Sequence, residues 1–377
     1  MGGDSADIAV FLVVLAMRFV IPLFIPRFPL PAILLALVID AADQTIFQQF
    51  TDLNLDGYQN YDKALDIFYL TIAFLAVYRN WTNTTAINVA RFLWYYRLFG
   101  VWLFEVVQER WILFIFPNTF EYFFIAYVAI RTRWDPRRLT SRAVIAMAAF
   151  IWIFIKLPQE WWIHIAQNDF TDFMKVDIFG TTPTTSWSDA ITNRPAVTIA
   201  LVVAIGALSA LAVWAFRKAP PRDWSFRVDV DKPIPYIELP DRPQAPLWIA
   251  PPFAEKLLLV GLLAAIFTSV LNLDTPIVRI VIGTSMIIAA SVAVSEFLAR
   301  RGIEWSSIGV EFVVLSAVNS GVIGLYTVLL GNDVNRSLVL FFGLLLTMVI
   351  VLYDRYLGMR AQVGAADAAN TTAPANS

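Results

Sequence analysis

Two pairs of aspartates lie close together in the first part of the sequence. Asp40 and Asp43 are three residues apart. Asp62 and Asp66 are four residues apart, so each pair would lie on one face of a helix. Carboxylate oxygens in such an arrangement are typical ligands of hard divalent cations such as Mg²⁺, Mn²⁺ or Ca²⁺. The sequence therefore predicts a metal or proton site, with helix capping as the alternative explanation for Asp62.

A second pair of charged residues lies deep within apolar segments. Arg97 and Glu121 are each twelve residues from Glu109, which centres the short loop between their segments. Equal distance from the turn of an antiparallel hairpin gives equal depth, so we expect the two side chains to be able to meet. A charge at the bilayer centre costs about 2.5–3.5 kcal/mol on insertion scales, so each needs a partner, a wet cavity or a function. Either a buried ion pair that fixes helix register or a site for a substrate anion or a proton would satisfy this need.

Three further polar residues join the candidate binding set. Glu105 is eight residues after Arg97 and shares its helix face. Asn118 follows a proline, where an interrupted helix would free a carbonyl and offer an amide. Arg18 lies midway along the first apolar segment, and Asp40 on the second segment is its natural partner. The predicted binding residues are thus Arg97, Glu121, Glu105, Asn118 and Arg18, and the predicted metal ligands are Asp40, Asp43, Asp62 and Asp66.

The composition places these polar residues in a membrane protein. The chain has 377 residues, of which 58% are hydrophobic and only 15% charged, and its mean hydropathy is +0.64. A soluble domain is about 45–50% apolar and about 25% charged. The net charge is −2, so the chain lacks the excess of basic residues that is typical of proteins that bind nucleic acids. With no cysteine and one histidine, His164, the chain has no disulfides, thiolate metal sites or multi-histidine sites of its own.

The apolar segments predict an all-α, polytopic integral membrane protein with about eleven transmembrane helices, within a range of ten to twelve. The predicted spans are 8–25, 30–48, 61–78, 86–107, 111–130, 143–163, 195–216, 254–273, 277–299, 306–330 and 337–356. Arginines concentrate in alternate loops, which predicts that the N-terminus is outside and the C-terminus is cytoplasmic. We therefore expect the protein to be a multi-pass component of the cell membrane, surrounded by the lipid bilayer.

A proline-rich stretch divides the predicted spans into two groups. Residues 217–252 contain nine prolines, which predicts an extended cytoplasmic linker. The linker separates an N-terminal module of seven spans, 1–216, which carries the intramembrane charges, from a C-terminal module of four spans, 253–356. The tail, 357–377, consists mainly of small and polar residues and is predicted to be disordered.

The aspartate pairs resemble the motif of the CDP-alcohol phosphotransferases, D-x2-D-G-x2-A-R-x8-G-x3-D-x3-D, which extends over two consecutive spans and binds a divalent metal. Asp40 and Asp43 match its first two aspartates, and the second aspartate pair comes one residue late. Gln44 stands at the first glycine of the motif, while Phe47 and Gln48 replace its Ala-Arg. The predicted orientation also places the pairs at the outer face. The resemblance therefore implies only that two aspartate pairs on neighbouring spans can hold metal ions.

Three functions remain open from the sequence. The favoured one is a transporter or carrier for a small or ionic solute that uses intramembrane Arg, Glu and Asp groups, because these charges lie at several depths. The first alternative is a membrane-embedded, divalent-metal-dependent enzyme that acts on a lipid or isoprenoid-linked substrate through the four aspartates. The second alternative is a non-catalytic scaffold or assembly subunit. We expect a homo-oligomer or a partner membrane subunit as protein partner, and no nucleic acid.

Overall fold

A computed structural model describes residues 5–51, 58–168, 170–230, 251–270, 277–301, 307–330 and 340–357. Every regular element in these ranges is a helix, which confirms the predicted all-α class. Most of the predicted linker, 231–250, and the predicted tail from residue 358 lie outside the described residues.

Fourteen helices follow one another along these described ranges. The first seven are α1 (Ser5–Val20), α2 (Pro29–Phe50), α3 (Tyr58–Asn80), α4 (Thr84–Val107), α5 (Trp111–Ile115), α6 (Thr119–Arg131) and α7 (Ser141–Ile165). The other seven are α8 (Phe170–Phe173), α9 (Trp187–Asn193), α10 (Pro195–Arg217), α11 (Pro251–Val270), α12 (Ile277–Arg300), α13 (Ile308–Leu330) and α14 (Leu340–Leu357). A short 3-10 helix, Ile21–Phe24, extends α1, and a second one, Pro136–Arg138, lies between α6 and α7. A π-helical segment, Met174–Ile178, extends α8.

Several of these helices are long and apolar enough to cross a membrane. There are six, or seven if α9 and α10, which meet at a 98° bend, form one broken span. The six are Ala6–Phe24, Trp111–Arg131, Ser141–Ile165, Phe253–Val270, Ile308–Leu325 and Leu340–Leu357. This finding supports a helical membrane protein. Helical residues are present in each of the eleven predicted segments, while the count of eleven spans and their orientation stay predictions.

α3 lies at the centre of the helical bundle. Its residues from Ile72 to Val77 have no exposed surface, and it packs against α1, α2, α4 and α11. One apolar cluster continues from α2, α3, α4 and α6 to α11, α12 and α14. Helices from the two predicted modules therefore share one core, and the polar residues of α3 lie within reach of several neighbouring helices.

α10 shows the opposite distribution of apolar surface. Its large side chains Ile199, Val202, Val203 and Ile205 are all exposed. Such a continuous apolar surface is unfavourable in water, whereas lipid tails are a suitable environment for it. The exposure of α10 is thus consistent with a helix at the lipid boundary.

The first part of the predicted linker follows α10 without helical structure and lies against the loop after α6. The backbone N–H of Asp223 donates to the carbonyl of Arg133, and that of Arg227 donates to the carbonyl of Thr132, both at 3.0 Å. These hydrogen bonds hold residues 220–230 beside the most arginine-rich loop of the chain.

Candidate functional site

The guanidinium of Arg18 lies among all four predicted metal ligands. Its Nη1 donates to Asp43 and Asp62. Its Nη2 donates to Asp40 and Asp66. Arg18 is only 5% exposed, while the side chains of Asp40, Asp62 and Asp66 are 28%, 38% and 40% exposed. These five residues form the Arg18 cluster, in which the expected contact between Arg18 and Asp40 is one of four.

The helical periodicity of α1 and α2 explains this convergence. Phe11, Val14 and Arg18 are buried on one face of α1, at spacings of three and four residues. Asp43 and Phe47 are buried in the same way on α2. The arginine therefore points into the bundle, towards the aspartate faces of the two neighbouring helices.

The Arg18 cluster has an excess of negative charge. Its four carboxylates outnumber its single guanidinium, which leaves a formal surplus of three negative charges. Oxygens of Asp40, Asp62 and Asp66 lie within 4.8 Å of one another. An all-oxygen donor set of this kind fits a hard divalent cation or a proton. The guanidinium donates to the same carboxylates, so a metal ion would share these oxygens with Arg18 or displace it.

A second site lies where the span Trp111–Arg131 is interrupted. α5 ends at Ile115 and α6 begins at Thr119, and Pro117 between them lacks the N–H that a continuous helix would need. Gly100 of α4 permits the close approach of this break, because a Cβ there would lie 2.1 Å from the Cβ of Phe116. The interruption expected beside Asn118 is therefore present and is packed against α4.

Two side chains of α4 bind the carbonyls at the end of α5. The Tyr96 hydroxyl donates to the carbonyl of Ile115 at 3.0 Å, and Nη1 of Arg97 donates to the carbonyl of Phe116 at 2.9 Å. In a membrane no water is available to satisfy such carbonyls. Arg97 and Tyr96 therefore stabilise the break as well as lying beside it.

Arg97 and Glu121 do not form the ion pair that the hairpin geometry suggested. Among the described residues no carboxylate oxygen lies within 4.0 Å of the Arg97 guanidinium. Instead, Tyr69 of α3 donates to Oε1 of Glu121, and the Asn118 side chain donates to Oε2, both at 2.7 Å. The two charged side chains lie near the same break, but each is bound by other partners: Arg97 by a carbonyl of the break, and Glu121 by Tyr69 and Asn118.

Three residues of α7 belong to this second site. Glu160 lies 3.5 Å from Nζ of Lys156 and 3.0 Å from Nε2 of His164. It also accepts a 3.1 Å hydrogen bond from the backbone N–H of Asn118. Lys156 and Glu160 are not among the residues that the sequence predicts, although their spacing of four residues, repeated at His164, places all three on one helix face. The Arg97 cluster is defined by Arg97, Asn118, Glu121, Lys156, Glu160 and His164.

Glu105 lies apart from the Arg97 cluster. Its carboxylate accepts a 3.2 Å contact from Nζ of Lys63 on α3. Eight residues along a helix correspond to about 12 Å, so Glu105 lies well away from Arg97 despite sharing its face. The structure thus brings four of the predicted binding residues to two clusters and leaves Glu105 in a separate ion pair.

Comparisons with protein families, curated proteins and solved structures found no match for this chain.

Proposed function

We propose that the protein is a carrier for a small or ionic solute, and that the Arg18 cluster takes up the cation that drives it. The observation that carries this proposal is the surplus of three negative charges around Arg18. Carboxylates held together in a partly buried site repel one another, which favours binding of protons or a metal cation. Three of the four carboxylates retain exposed surface, so a cation has access to them.

The position of Asp66 and Tyr69 on one helix supports a carrier over an isolated ion site. Asp66 and Tyr69 are three residues apart on α3, and Tyr69 donates to Glu121 of the Arg97 cluster. The Arg97 cluster lies at an interrupted helix, which is typical of substrate sites in secondary transporters. α3 would therefore link a cation at the Arg18 cluster to a solute at the helix break.

The proposed topology follows from the same helices. We propose eleven spans in the cell membrane, with the N-terminus outside, the C-terminus cytoplasmic and the linker 217–252 in the cytoplasm between modules 1–216 and 253–356. The Arg18 cluster then lies towards the outer face, since it joins the later part of α2 to the beginning of α3. Arg131, Arg133 and Arg138 lie in a cytoplasmic loop, as the positive-inside tendency requires.

A divalent-metal-dependent enzyme for a lipid or isoprenoid-linked substrate is the second candidate. The 4.8 Å clustering of oxygens from Asp40, Asp62 and Asp66 favours it, with Mg²⁺, Mn²⁺ or Ca²⁺ as the cofactor. The position of Arg18 among the same oxygens favours the carrier, because the guanidinium neutralises part of the charge that a tightly held metal would need.

Charge movement in proteoliposomes tests the carrier. The full chain, reconstituted on a solid-supported membrane, is exposed to rapid jumps of pH or of Mg²⁺, Mn²⁺ or Ca²⁺. We expect a saturable transient current in the wild type that is largely lost in Asp66→Asn. The matched control, Asp177→Asn, changes an exposed aspartate of the same charge and should behave as the wild type.

Absence of current in the wild type for every cation would contradict the carrier. Divalent cations that raise the thermal stability without moving charge would favour the enzyme, since binding to the native state stabilises it in either case.

A further inference from the structure

We infer that the Arg97 cluster binds the carboxylate group of a small solute through the Arg97 guanidinium, at the break between α5 and α6. This inference deepens the proposed carrier function, because it names the chemical class of the solute. Binding itself does not depend on transport and can be measured separately.

Arg97 has donors that no acceptor in the described part of the chain uses. A guanidinium has five N–H donors, and within the described part of the chain Arg97 makes one hydrogen bond, to the carbonyl of Phe116. Glu160 and Glu121 attract it electrostatically from beyond 4.0 Å, without forming an ion pair. A cation held inside a membrane protein is costly without a close partner. An anionic ligand at Arg97 would supply that partner.

The neighbouring carboxylates are already engaged by other groups. Both oxygens of Glu121 accept hydrogen bonds, from Tyr69 and from Asn118. Glu160 lies within ion-pair distance of Lys156 and His164. Neither glutamate therefore needs Arg97 as its partner, and a rearrangement that brought one to Arg97 would disturb its existing contacts, two for Glu121 and three for Glu160.

One buried polar atom at the break points independently to a missing ligand. Within the described residues, Oγ1 of Thr119 has no hydrogen-bond partner. Thr119 is only 1% exposed, so water at the protein surface does not satisfy its hydroxyl. A hydroxyl can donate to a carboxylate oxygen. Thr119 also begins α6, a helix of 13 residues, whose N-terminal N–H groups favour a negative charge.

The charge balance selects a monocarboxylate over a doubly charged anion. The planar guanidinium matches a planar carboxylate, with which it can form two parallel hydrogen bonds. Glu121 and Glu160 formally balance the charges of Arg97 and Lys156, and they would repel a dianion such as phosphate more strongly than a singly charged carboxylate.

Thermal unfolding of the purified full chain tests this assignment. The probes are acetate, lactate and benzoate, with acetamide as the uncharged match for acetate and with inorganic phosphate, all at equal ionic strength. We expect the carboxylates to raise the melting temperature saturably, because a ligand of the native state stabilises it, and we expect acetamide to have no effect. An equal or stronger effect of phosphate, or no saturable effect of any carboxylate, would overturn the assignment.

Two variants assign the binding to the break. Arg97→Lys keeps the charge but loses the planar fork, so the apparent carboxylate affinity should fall by about tenfold or more, about 1.4 kcal/mol. Arg110→Lys changes an exposed arginine just before α5 and should leave the affinity unchanged. If Arg97→Lys does not fold, Thr119→Val gives the same test, because it removes only the unpartnered hydroxyl and should weaken binding several-fold. Unchanged affinity in the folded variant would overturn the inference.

The inference and the carrier can fail separately. Carboxylate binding that depends on Arg97, without charge movement in proteoliposomes, would support the inference and contradict the carrier. Charge movement that depends on Asp66, without carboxylate binding, would support the carrier and contradict the inference.

Discussion

Tyr69 donates a 2.7 Å hydrogen bond to Glu121 and thereby joins α3, the helix that carries Asp62 and Asp66 of the Arg18 cluster, to the Arg97 cluster. Tyr69 lies three residues after Asp66 on the central helix α3, while Glu121 accepts a second hydrogen bond from Asn118 at the helix break. Both partners are buried. The hydrogen bond therefore lies in an apolar interior. Its removal should lower the free energy of unfolding and should weaken the energetic coupling between the two clusters.

Tyr69→Phe and Glu121→Leu should each destabilise the protein by about 1–3 kcal/mol, because each leaves a buried polar group without its partner. The double variant should lose less than the sum of the two single losses, with a coupling energy of about 0.5–3 kcal/mol. Equilibrium unfolding of the four proteins in one detergent measures this cycle. If the losses of the two single variants add up exactly in the double variant, the hydrogen bond does not contribute to stability.

Arg18→Gln removes the one positively charged side chain of the Arg18 cluster. The four carboxylates then surround a buried, uncharged side chain. We expect a loss of about 3–5 kcal/mol, as for other broken buried ion pairs. A second change, Asp66→Asn, should recover part of this loss because it removes one of the repelling charges. Arg142→Gln, at an exposed position on α7, is the control and should change stability by less than about 0.5 kcal/mol. A double variant less stable than Arg18→Gln would contradict the charge argument.

Gly100→Ala should disturb the helix break, because the added Cβ would lie 2.1 Å from the Cβ of Phe116. Overpacking of this kind costs about 1–3 kcal/mol and would move the Phe116 carbonyl away from Arg97. Gly206→Ala on α10 is a matched control, since no atom lies within 4 Å of its added Cβ. Unfolding temperature and carboxylate affinity should fall together in the first variant and remain unchanged or improve in the second.

Glu255→Gln should weaken the contact between α11 and the N-terminal helices. Glu255 accepts two hydrogen bonds from Arg91, at 2.9 and 3.0 Å, and further bonds from the hydroxyls of Tyr78 and Tyr95. Bonds to a charged group contribute about 1.5–3 kcal/mol each at most, so we expect a clear fall in melting temperature. Glu296→Gln, which removes an exposed ion pair with Arg300, should have little effect. Equal effects of the two variants would contradict a specific role for Glu255.

The proposed orientation can be tested with single cysteines, since the natural chain has none. Ser188→Cys and Ser141→Cys introduce thiols at exposed positions that the proposed topology places outside and in the cytoplasm, respectively. A membrane-impermeant maleimide added to intact cells should label the first and should label the second only after permeabilisation. The reverse pattern would show that the orientation is inverted.

The convergence of the four aspartates was accessible from the sequence, whereas the position of Arg18 among all of them was not. Spacings of three and four residues define the faces of α2 and α3, and apolar neighbours define the buried face of α1. How α1 is rotated and placed between the other two helices depends on packing over the whole bundle. The sequence therefore predicts the contact between Arg18 and Asp40 but not the other three.

The Arg97 cluster shows a different limit of the sequence. Pro117 predicts the interruption, but a residue pattern does not reveal that a backbone carbonyl would take the place of Glu121 at Arg97. Lys156 and Glu160 fall near the end of a predicted span, where polar side chains usually extend to the membrane interface. π-helical turns before and after Glu160, at Ile151–Lys156 and Trp161–Ile165, change the direction of side chains along α7, and composition gives no sign of them.

Linkage between the two clusters is the most direct test of a cation-coupled carrier. The affinity for acetate is measured on the purified chain with and without saturating Mg²⁺, Mn²⁺ or Ca²⁺, and at two pH values, in the wild type and in Tyr69→Phe. Cation or proton uptake at the Arg18 cluster should change the acetate affinity of the wild type by about fivefold or more, about 1 kcal/mol, and should change that of Tyr69→Phe much less. Acetate affinity that is the same under all these conditions in the wild type would contradict the coupling of the two clusters.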